Sequence, residues 1–315
     1  MAQHSRIITI VGGSGFVGRY VVQQLAHAGY RVQVICRNPN AALALKTAGD
    51  PGQVVLTAGN IARPEALSGK LAGSYAVVNL VGVLFENGAQ NFAALHAKSA
   101  EALAKLAKSA GAARFIHLSA LGVDKAFGSE YARTKLVGEK AVTAAFTGAT
   151  ILRPSVIFGP EDHFFNQFAA MPALPLIGGG KTRFQPVYVG DVAKAVLACL
   201  EQPESAGQLY ELGGAKTYSF KALMDFVQEV LRVKKPMVKL PFGLAMLVAF
   251  FAETAYKLIP LIRRPLLTRD QVRLLKYDNV VSADANTLTD LGVTPQPLET
   301  IVPRYLARFN PKKGW

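Results

Sequence analysis

The stretch RIITIVGGSGFVG, residues 6–18, decides how the chain begins to fold. Its first residues are rich in Ile and Val, which is typical of a buried strand. Glycine then recurs at every third position, at Gly12, Gly15 and Gly18, before a segment of helical periodicity. We expect Gly12 to allow a tight turn, Gly15 a close approach of a ligand to the backbone, and Gly18 the packing of helix on strand. Such a strand, turn and helix can bind a diphosphate at the amides of the helix N-terminus.

The pattern continues to about residue 152, with short β-branched runs alternating with helical segments. The runs are continuously apolar, which is typical of parallel strands covered by helices on both faces. The sequence therefore predicts an α/β fold with a doubly wound parallel sheet of the Rossmann type. Residues 1–215 are predicted to form the nucleotide-binding domain, with the loop 155–185 contributing to a second lobe. Residues 216–315 are predicted to form a smaller, mostly helical domain.

Charge predicts the kind of partner. The 315 residues include 35 Lys and Arg against 21 Asp and Glu, giving a formal net charge of +14. Ten basic residues and two acidic ones fall between Arg232 and Lys276, so the C-terminal third should attract anions. This region lacks interleaved aromatic residues and any known nucleic-acid module, so no nucleic-acid partner is expected. No Cys/His cluster has the spacing of a metal site, and no metal is expected.

Two cysteines, Cys36 and Cys199, lie in apolar stretches and predict reduced, buried thiols in a reducing compartment. The chain enters its first strand almost at once, which leaves no room for a targeting peptide, although a processed mature chain would look the same. The most apolar stretch, residues 240–252, is shorter than the roughly 20 residues of a spanning helix. No transmembrane helix is predicted.

Arg37 ends the second predicted strand, and no Asp or Glu stands between Gly29 and Asn40. An acidic residue near this place accepts hydrogen bonds from the ribose hydroxyls of NAD, whereas an arginine can pair with a 2′-phosphate. Arg37 therefore favours NADP(H) as the cofactor.

Tyr131 and Lys135 are four residues apart on a predicted helix, so both side chains can point at one site. With this pair the sequence resembles an extended, atypical short-chain dehydrogenase/reductase over about its first 215 residues. The matching stretches are VGGSGFVG (11–18), Gly59-Asn60-Ile61, NLVG (79–82), the Tyr131/Lys135 pair, RPSVIFGP (153–160) and PVYVGDVAKAV (186–196). The family often has Asp where Asn60 stands.

The resemblance implies roles for these residues. In that family the tyrosine exchanges a proton with the substrate, and the lysine holds the nicotinamide ribose and lowers the tyrosine pKa. Tyr131 and Lys135 are thus the candidate catalytic pair. The residues expected to contact the cofactor are Gly12, Ser14, Gly15, Phe16, Val17, Gly18, Arg37, Asn60, Ile61, Val81, Gly82, Leu118, Ser119, Tyr131, Lys135, Pro154 and Val156.

The sequence departs from the family at the hydroxyl that polarises the substrate carbonyl. The aligned position is Ala120, with Ser119 one residue early. Neighbouring strand positions point to opposite faces, so Ser119 is expected to face away from the nicotinamide. Loss of such a donor removes about 3 kcal/mol of transition-state stabilisation. The pair can therefore serve cofactor binding alone, or it can still work as an acid/base pair.

A C-terminal run, residues 241–282, carries a second resemblance. Together with residues 129–142 and 153–169, it resembles the nucleotide-binding accessory subunits of respiratory complex I. This implies a peripheral subunit near the junction of the hydrophilic arm and the membrane, with other complex I subunits as partners. Its location would be the cytoplasmic face of a bacterial inner membrane, or the matrix face of the mitochondrial inner membrane.

The residues of this run suit such a place. A predicted helix from Phe242 to Ile259 is apolar almost all the way round, with Glu253 and Lys257 as one polar patch, and the basic pair Arg263-Arg264 follows. We expect residues 242–264 and the basic C-terminal region to meet an anionic membrane surface or a partner. The alternative is a lid helix buried in the protein's own core.

Two hypotheses remain open. The first is a structural accessory subunit of complex I that carries NADP(H) without efficient turnover. The second is a free-standing NADP-dependent reductase or epimerase that uses Tyr131 and Lys135, with the C-terminal third closing over a substrate.

Overall fold

The structure is a computed structural model that describes residues 6–83, 85–86, 91–259 and 265–310. Within these residues the strands are β1 (Ile7–Val11), β2 (Arg31–Cys36), β3 (Val54–Ala58), β4 (Ser74–Asn79), β5 (Arg114–Leu118), β6 (Thr150–Pro154), β7 (Ile157–Phe158), β8 (Leu174–Ile177), β9 (Arg183–Phe184), β10 (Val187–Tyr188), β11 (Leu209–Leu212), β12 (Tyr218–Ser219) and β13 (Met237–Leu240). The α-helices are α1 (Phe16–His27), α2 (Ser99–Ser109), α3 (Glu130–Ala145), α4 (Phe164–Ala170), α5 (Val189–Glu201), α6 (Phe220–Leu231), α7 (Phe242–Leu258), α8 (Arg269–Leu274) and α9 (Leu298–Leu306).

Seven strands form one parallel sheet in the order β3-β2-β1-β4-β5-β6-β11. The chain winds outward from β1 in one direction and then from β4 in the other, so the sheet is doubly wound and the predicted fold class is confirmed. The connections diverge between β1 and β4. At such a point the carboxyl ends of the strands leave a crevice in which a nucleotide can lie.

Each face of the sheet has its own core. On one face α1 and α5 pack against β-branched side chains such as Ile10, Val34 and Ile116. On the other face Val77 and Phe115 pack against α2 and α3. Successive side chains of a strand point to opposite faces of the sheet. The position of a polar residue at a strand end therefore determines whether its side chain points toward α3, the helix that carries Tyr131 and Lys135.

The chain beyond the sheet forms a smaller lobe with a core of its own. Helices α4, α6 and α9 pack there around Phe158, Phe165 and Phe220. The chain then returns to the main sheet, because Leu288 and Leu291 join the core on the α1 and α5 face. The predicted division between residues 215 and 216 stays a prediction.

Helix α7 lies on the surface. It buries only Ala245 and Ala249, whereas large side chains such as Leu247 and Phe251 are 52% and 61% exposed. It is therefore not a lid buried in the protein's own core. No helix among the described residues is long and apolar enough to cross a membrane. The basic pair predicted to follow α7, Arg263-Arg264, lies outside the described residues.

Candidate cofactor site

The glycine turn after β1 has the geometry that its sequence predicts. Gly12 has a φ of +90°, a conformation that side chains rarely adopt. The Gly15 amide donates to the Gly12 carbonyl at 3.1 Å, which closes the turn. A Cβ on Gly18 would overlap the Gly12 carbonyl oxygen and lie 2.5 Å from the Gly13 Cα. Gly18 thus brings α1 against the turn, as expected.

This turn is open to a ligand. Ser14 and Gly15 are exposed, and Phe16 and Val17 are partly exposed. Gly15 is the N-cap of α1 with no side chain bonded to the helix amides, and the first turn has no acidic residue. The amides and the positive end of the helix dipole therefore face open space, as an anion site requires.

Arg37 directly follows β2 at the same edge of the sheet and is exposed. Within the described residues it makes no hydrogen bond or ion pair, so its guanidinium is available to a phosphate. After the neighbouring strand β3, the Asn60 side chain accepts from the Ala62 amide at 3.1 Å, and Ile61 is 5% exposed. Arg37, Asn60 and Ile61 thus follow adjacent strands on the β1–β3 side of the crevice.

Lys135 is the best buried of the predicted site residues on α3. It is 3% exposed, and its Nζ donates to the Leu118 carbonyl at 3.0 Å. A Cβ on Gly82 would lie 3.2 Å from this Nζ, so the loop after β4 passes directly beside it. Burial lowers the pKa of Lys135 to about 8, and the charge of Glu139 opposes that shift. Leu118, Gly82 and Lys135 are therefore brought together.

Tyr131 lies beside Lys135 but is not activated by it. Its ring packs edge-on against Phe92 and His96, with centroids 5.8 Å and 5.3 Å away. Burial, followed by the charge of Asp270, raises the pKa of Tyr131 to about 12. The family resemblance implied a lowered tyrosine pKa, and the structure differs because desolvation opposes the phenolate. The phenol is protonated at neutral pH.

His96 links α3 to the loop after β4. Its Nε2 accepts from the Val83 amide at 3.2 Å, and its Nδ1 lies 3.2 Å from the Thr134 hydroxyl. Burial and then the charge of Lys135 lower its pKa to about 3, so the ring is neutral. A Cβ on Gly138 would overlap the His96 carbonyl oxygen, so the two backbones touch. No local pattern in the sequence predicts this contact, because it arises only from three-dimensional packing.

A second buried histidine stands on β5. The His117 Nδ1 lies 3.2 Å from the Asn79 amide nitrogen, and the Asn79 oxygen accepts from the Val81 amide at 3.1 Å. Burial and then the charge of Lys135 lower the pKa of His117 to about 3. Asn79 therefore fixes Val81, another predicted cofactor contact.

Ser119 and Ala120 differ in what surrounds them. By alternation Ser119 points to the α3 side of the sheet, the side of His117 and Lys135. The expectation that Ser119 faces away from the nicotinamide side is therefore wrong, because Ser119 shares its face with Phe115 and not with Leu118. It is 5% exposed, and its hydroxyl has no hydrogen-bond partner within the described residues. Ala120 packs instead in an apolar cluster with Val123, Ala126 and others. The hydroxyl that polarises a carbonyl in the family thus has no counterpart at Ala120.

The C-terminal region holds the first turn of α3. The Asp270 carboxylate accepts from the Ser129 hydroxyl at 2.7 Å and from the amides of Glu130 and Tyr131 at 2.8 Å and 3.1 Å. Its neighbour Arg269 donates to Glu253 of α7 at 2.7 Å from both its amide and its Nε. Glu253, which was expected to form one polar patch with Lys257, is therefore held in an ion pair with Arg269.

The loop after β6 is also held from the C-terminal region. Pro154 ends β6, and the Val156 amide donates to the Asn279 side chain at 3.2 Å. Beside Pro154, Arg153 is buried in an ion-pair cluster with Glu139, Asp124 and Glu211. The sequence shows an Arg-Pro motif here but not its partners, which come from distant segments.

Comparison with known proteins places these features in a family. The model for the NAD dependent epimerase/dehydratase family matches residues 8–213.

Several relatives match nearly the whole chain. The mitochondrial NADH dehydrogenase (ubiquinone) 1 alpha subcomplex subunit 9 of Arabidopsis thaliana is 35% identical over 96% of this chain and 78% of its own. The corresponding subunit of Mus musculus is 33% identical over 93% of this chain and 78% of its own. The ceramide reductase of Caulobacter vibrioides is 30% identical over 76% of each chain.

Solved structures share the fold. The dTDP-glucose 4,6-dehydratase of Streptomyces venezuelae, solved with NAD bound, superposes with a TM-score of 0.71 at 20% identity, covering 98% of both chains. The UDP-glucose 4-epimerase of Thermotoga maritima gives 0.70 at 18% identity, covering 96% of this chain and 98% of its own.

Proposed function

The chain belongs to the NAD dependent epimerase/dehydratase family, and on that premise we propose that it is an accessory subunit of respiratory complex I that holds NADP(H) without efficient turnover. Relatives named as subunits of NADH dehydrogenase match more than nine tenths of the chain. The observation that carries the proposal is an open glycine turn combined with an alanine where catalysis needs a hydroxyl.

The residues present fit a nicotinamide dinucleotide. The open amides of the glycine turn suit a diphosphate, and Arg37, which has no partner among the described residues, suits a 2′-phosphate. The buried Ser119 hydroxyl, which has no partner among the described residues, suits the ribose or amide groups of a nicotinamide nucleotide. When bound, NADP(H) would supply a hydride donor or acceptor.

We assign each half of the crevice a part of the cofactor. The phosphate side would be held by Gly12, Ser14, Gly15, Phe16, Val17 and Gly18, and the adenosine side by Arg37, Asn60 and Ile61. The nicotinamide side would be held by Val81, Gly82, Leu118, Ser119, Tyr131, Lys135, Pro154 and Val156. Lys135 orients the ribose, because its Nζ is fixed beside Leu118 and Gly82.

The same site is poorly suited to turnover. Ala120 sits in an apolar cluster and offers no donor to a carbonyl oxygen. Tyr131, with its pKa raised to about 12, is not a base at neutral pH and is a weaker proton donor than a tyrosine whose pKa is lowered by its lysine. The proposal therefore assigns the bound nucleotide a structural role.

The surface of α7 supports peripheral attachment. Leu244, Leu247, Val248 and Phe251 recur at helical spacing and are all more than 40% exposed. Cations adjoin this face, with Lys276 5.6 Å from the Phe242 ring and Arg269 5.5 Å from the Phe250 ring. We propose that α7 and the basic C-terminal region meet an anionic membrane surface or another complex I subunit. The protein would lie on the cytoplasmic face of a bacterial inner membrane or the mitochondrial matrix face.

The main test is purification of the native protein in mild detergent. We expect it to migrate with a large membrane complex and to carry one NADP(H) that added carbonyl compounds do not oxidise. Migration as a free monomer that oxidises NADPH rapidly with a carbonyl substrate would contradict the proposal.

Attachment to the membrane has its own test. The full chain is mixed with vesicles containing anionic lipid at low salt, and flotation is measured for the Leu247→Glu variant. Leu43→Glu is the matched control, because Leu43 is also 52% exposed but lies far along the chain from α7. We expect only Leu247→Glu to reduce flotation. If the wild-type protein does not float, the membrane contact is contradicted and contact with another subunit is the alternative that is left.

A free-standing NADP-dependent reductase or epimerase is the second candidate. It is favoured by the relative named ceramide reductase and by Tyr131 and Lys135, which share a face of α3. If this candidate is right, the isolated protein should oxidise NADPH, and Tyr131→Phe should abolish that oxidation.

A further inference from the structure

A segment from the C-terminal region crosses the carboxyl ends of β5 and β6. Its central residue is Asn279, which pairs with β9 through its backbone: its amide donates to the Arg183 carbonyl at 2.8 Å, and its carbonyl accepts from the Gln185 amide at 3.0 Å. The segment is therefore an ordered part of the fold.

The Asn279 side chain joins the two loops that follow β5 and β6. Its Oδ1 accepts from the Ser155 hydroxyl at 2.6 Å and from the Val156 amide at 3.2 Å. Its Nδ2 donates to the Leu121 carbonyl at 2.9 Å. The Leu121 amide in turn donates to the Pro154 carbonyl at 2.9 Å, so the two loops form one bonded unit.

Flanking contacts keep the segment in register. The Asp278 carboxylate accepts from the amide and Nε of Arg183, both at 2.8 Å. Three residues after Asn279, the Ser282 amide donates to the Glu211 carboxylate at 2.7 Å, and Lys125 donates to the Ser282 hydroxyl at 2.9 Å. Asn279 is thus held from both sides and cannot turn away from the loops it joins.

These loops lie on the half of the sheet, β4 to β6, that receives the nicotinamide end of a dinucleotide in a doubly wound fold. We propose that Asn279 is a positioning residue for the nicotinamide half of the cofactor. It fixes the loops that carry Ser119 and Val156, and its effect does not reach the glycine turn or Arg37. This inference rests on the proposed binding of NADP(H).

The test compares two ligands that differ only in the nicotinamide end. The affinities of the full chain for NADPH and for 2′-phospho-ADP-ribose are measured by calorimetry for the wild type and for Asn279→Ala. Asn286→Ala is the matched control. Its Nδ2 donates at 3.2 Å to the Leu209 carbonyl at the amino end of β11, away from the carboxyl ends of β5 and β6 that Asn279 joins.

We expect Asn279→Ala to weaken NADPH binding about tenfold, because it leaves the Val156 amide and the Leu121 carbonyl without their partner. Binding of 2′-phospho-ADP-ribose should change less than about twofold. The emission of bound NADPH should also move toward that of free NADPH, because the nicotinamide is held less tightly. Asn286→Ala should leave all three quantities unchanged.

Equal weakening of both ligands would overturn the inference, since it would show general damage to the fold. Unchanged NADPH affinity would overturn it as well. If Asn279→Ala does not fold, Ser155→Ala replaces it, because it removes one of the bonds to Asn279 and should give a smaller change, about threefold, confined to NADPH. A wild-type protein that binds neither ligand would contradict the proposed function instead.

Discussion

The two halves of the crevice are built in opposite ways. On the β1–β3 side, the glycine turn and Arg37 are exposed, and Arg37 is unpaired among the described residues. On the β4–β6 side, Lys135 is 3% exposed and already bonded to Leu118, and the loops are tied together by Asn279. One half is open to solvent and ready for a ligand, whereas the other is buried and tied together by the protein's own contacts, with the Ser119 hydroxyl left without a partner among the described residues.

Because of this difference, the features that suit binding of a nucleotide and those needed for hydride transfer lie in different halves of the crevice. Backbone amides fixed in the turn can supply affinity without moving, and an exposed guanidinium adds a charged contact, so the open half suits retention of a nucleotide. A hydride transfer needs a hydroxyl that polarises the carbonyl and a proton donor of suitable pKa at the closed half, and there the structure has Ala120 and a Tyr131 whose pKa is raised to about 12. Variants on the open half should therefore have the larger effects.

The largest effect is expected for Gly18→Ala. The added Cβ would overlap the Gly12 carbonyl oxygen and force α1 away from the turn, so NADPH affinity should fall by about 100-fold or more. Calorimetric titration measures it. Gly69→Ala is the control, because a Cβ on Gly69 meets nothing within 4 Å. Similar affinities for both variants would show that the turn does not hold the cofactor.

Arg37→Asp should have the next largest effect. Loss of a charged hydrogen bond to the 2′-phosphate, together with repulsion, should lower the preference for NADPH over NADH about 30-fold. Competitive titration of the two nucleotides gives the ratio. Arg31→Asp makes the same charge change at the opposite end of β2, where Arg31 is also exposed, and should leave the preference intact. An unchanged ratio of NADPH to NADH affinity in Arg37→Asp would contradict the assignment of NADP(H) as the cofactor.

Lys135→Met should weaken NADPH about tenfold at pH 7 and change the pH profile. Burial lowers the Lys135 pKa to about 8, so wild-type affinity should be level between pH 7 and 7.5 and fall as the pH rises through 8 and the lysine loses its charge. The variant should give a flat profile over this range. A wild-type profile that stays level to pH 9.5 would show that the charge of Lys135 is not used.

Tyr131→Phe is expected to have the smallest effect. Its hydroxyl makes no hydrogen bond among the described residues, so NADPH affinity should change less than about threefold. The ring contacts with Phe92 and His96 survive this substitution. A loss of NADPH affinity as large as that of Lys135→Met would contradict this expectation and would show that the phenol binds the cofactor directly.

Local patterns were enough to predict most of the fold. The glycine spacing and the apolar strand runs predicted the doubly wound sheet, and the helical periodicity placed α3 and α7. Each of these signals depends on neighbours within a few residues. The roles assigned to the individual site residues stay predictions.

The contacts that close the site could not be predicted in this way. His96 meets α3, Asp270 caps that helix, and Asn279 joins two loops, across separations of 38 to 158 residues. A lone His, Asp or Asn has no periodicity to reveal such a partner. The high pKa of Tyr131 was missed for the same reason, because burial is a property of the packed structure.

Gly138 brings the backbone of α3 into direct contact with the turn that carries His96. Two backbones in direct contact leave no room for a side chain between them, so any residue larger than glycine at this position would push α3 away from residues 93–98. Because Lys135 stands one helical turn before Gly138, such a substitution would also shift Lys135 relative to Leu118 and Gly82, and with it the wall proposed to hold the nicotinamide ribose.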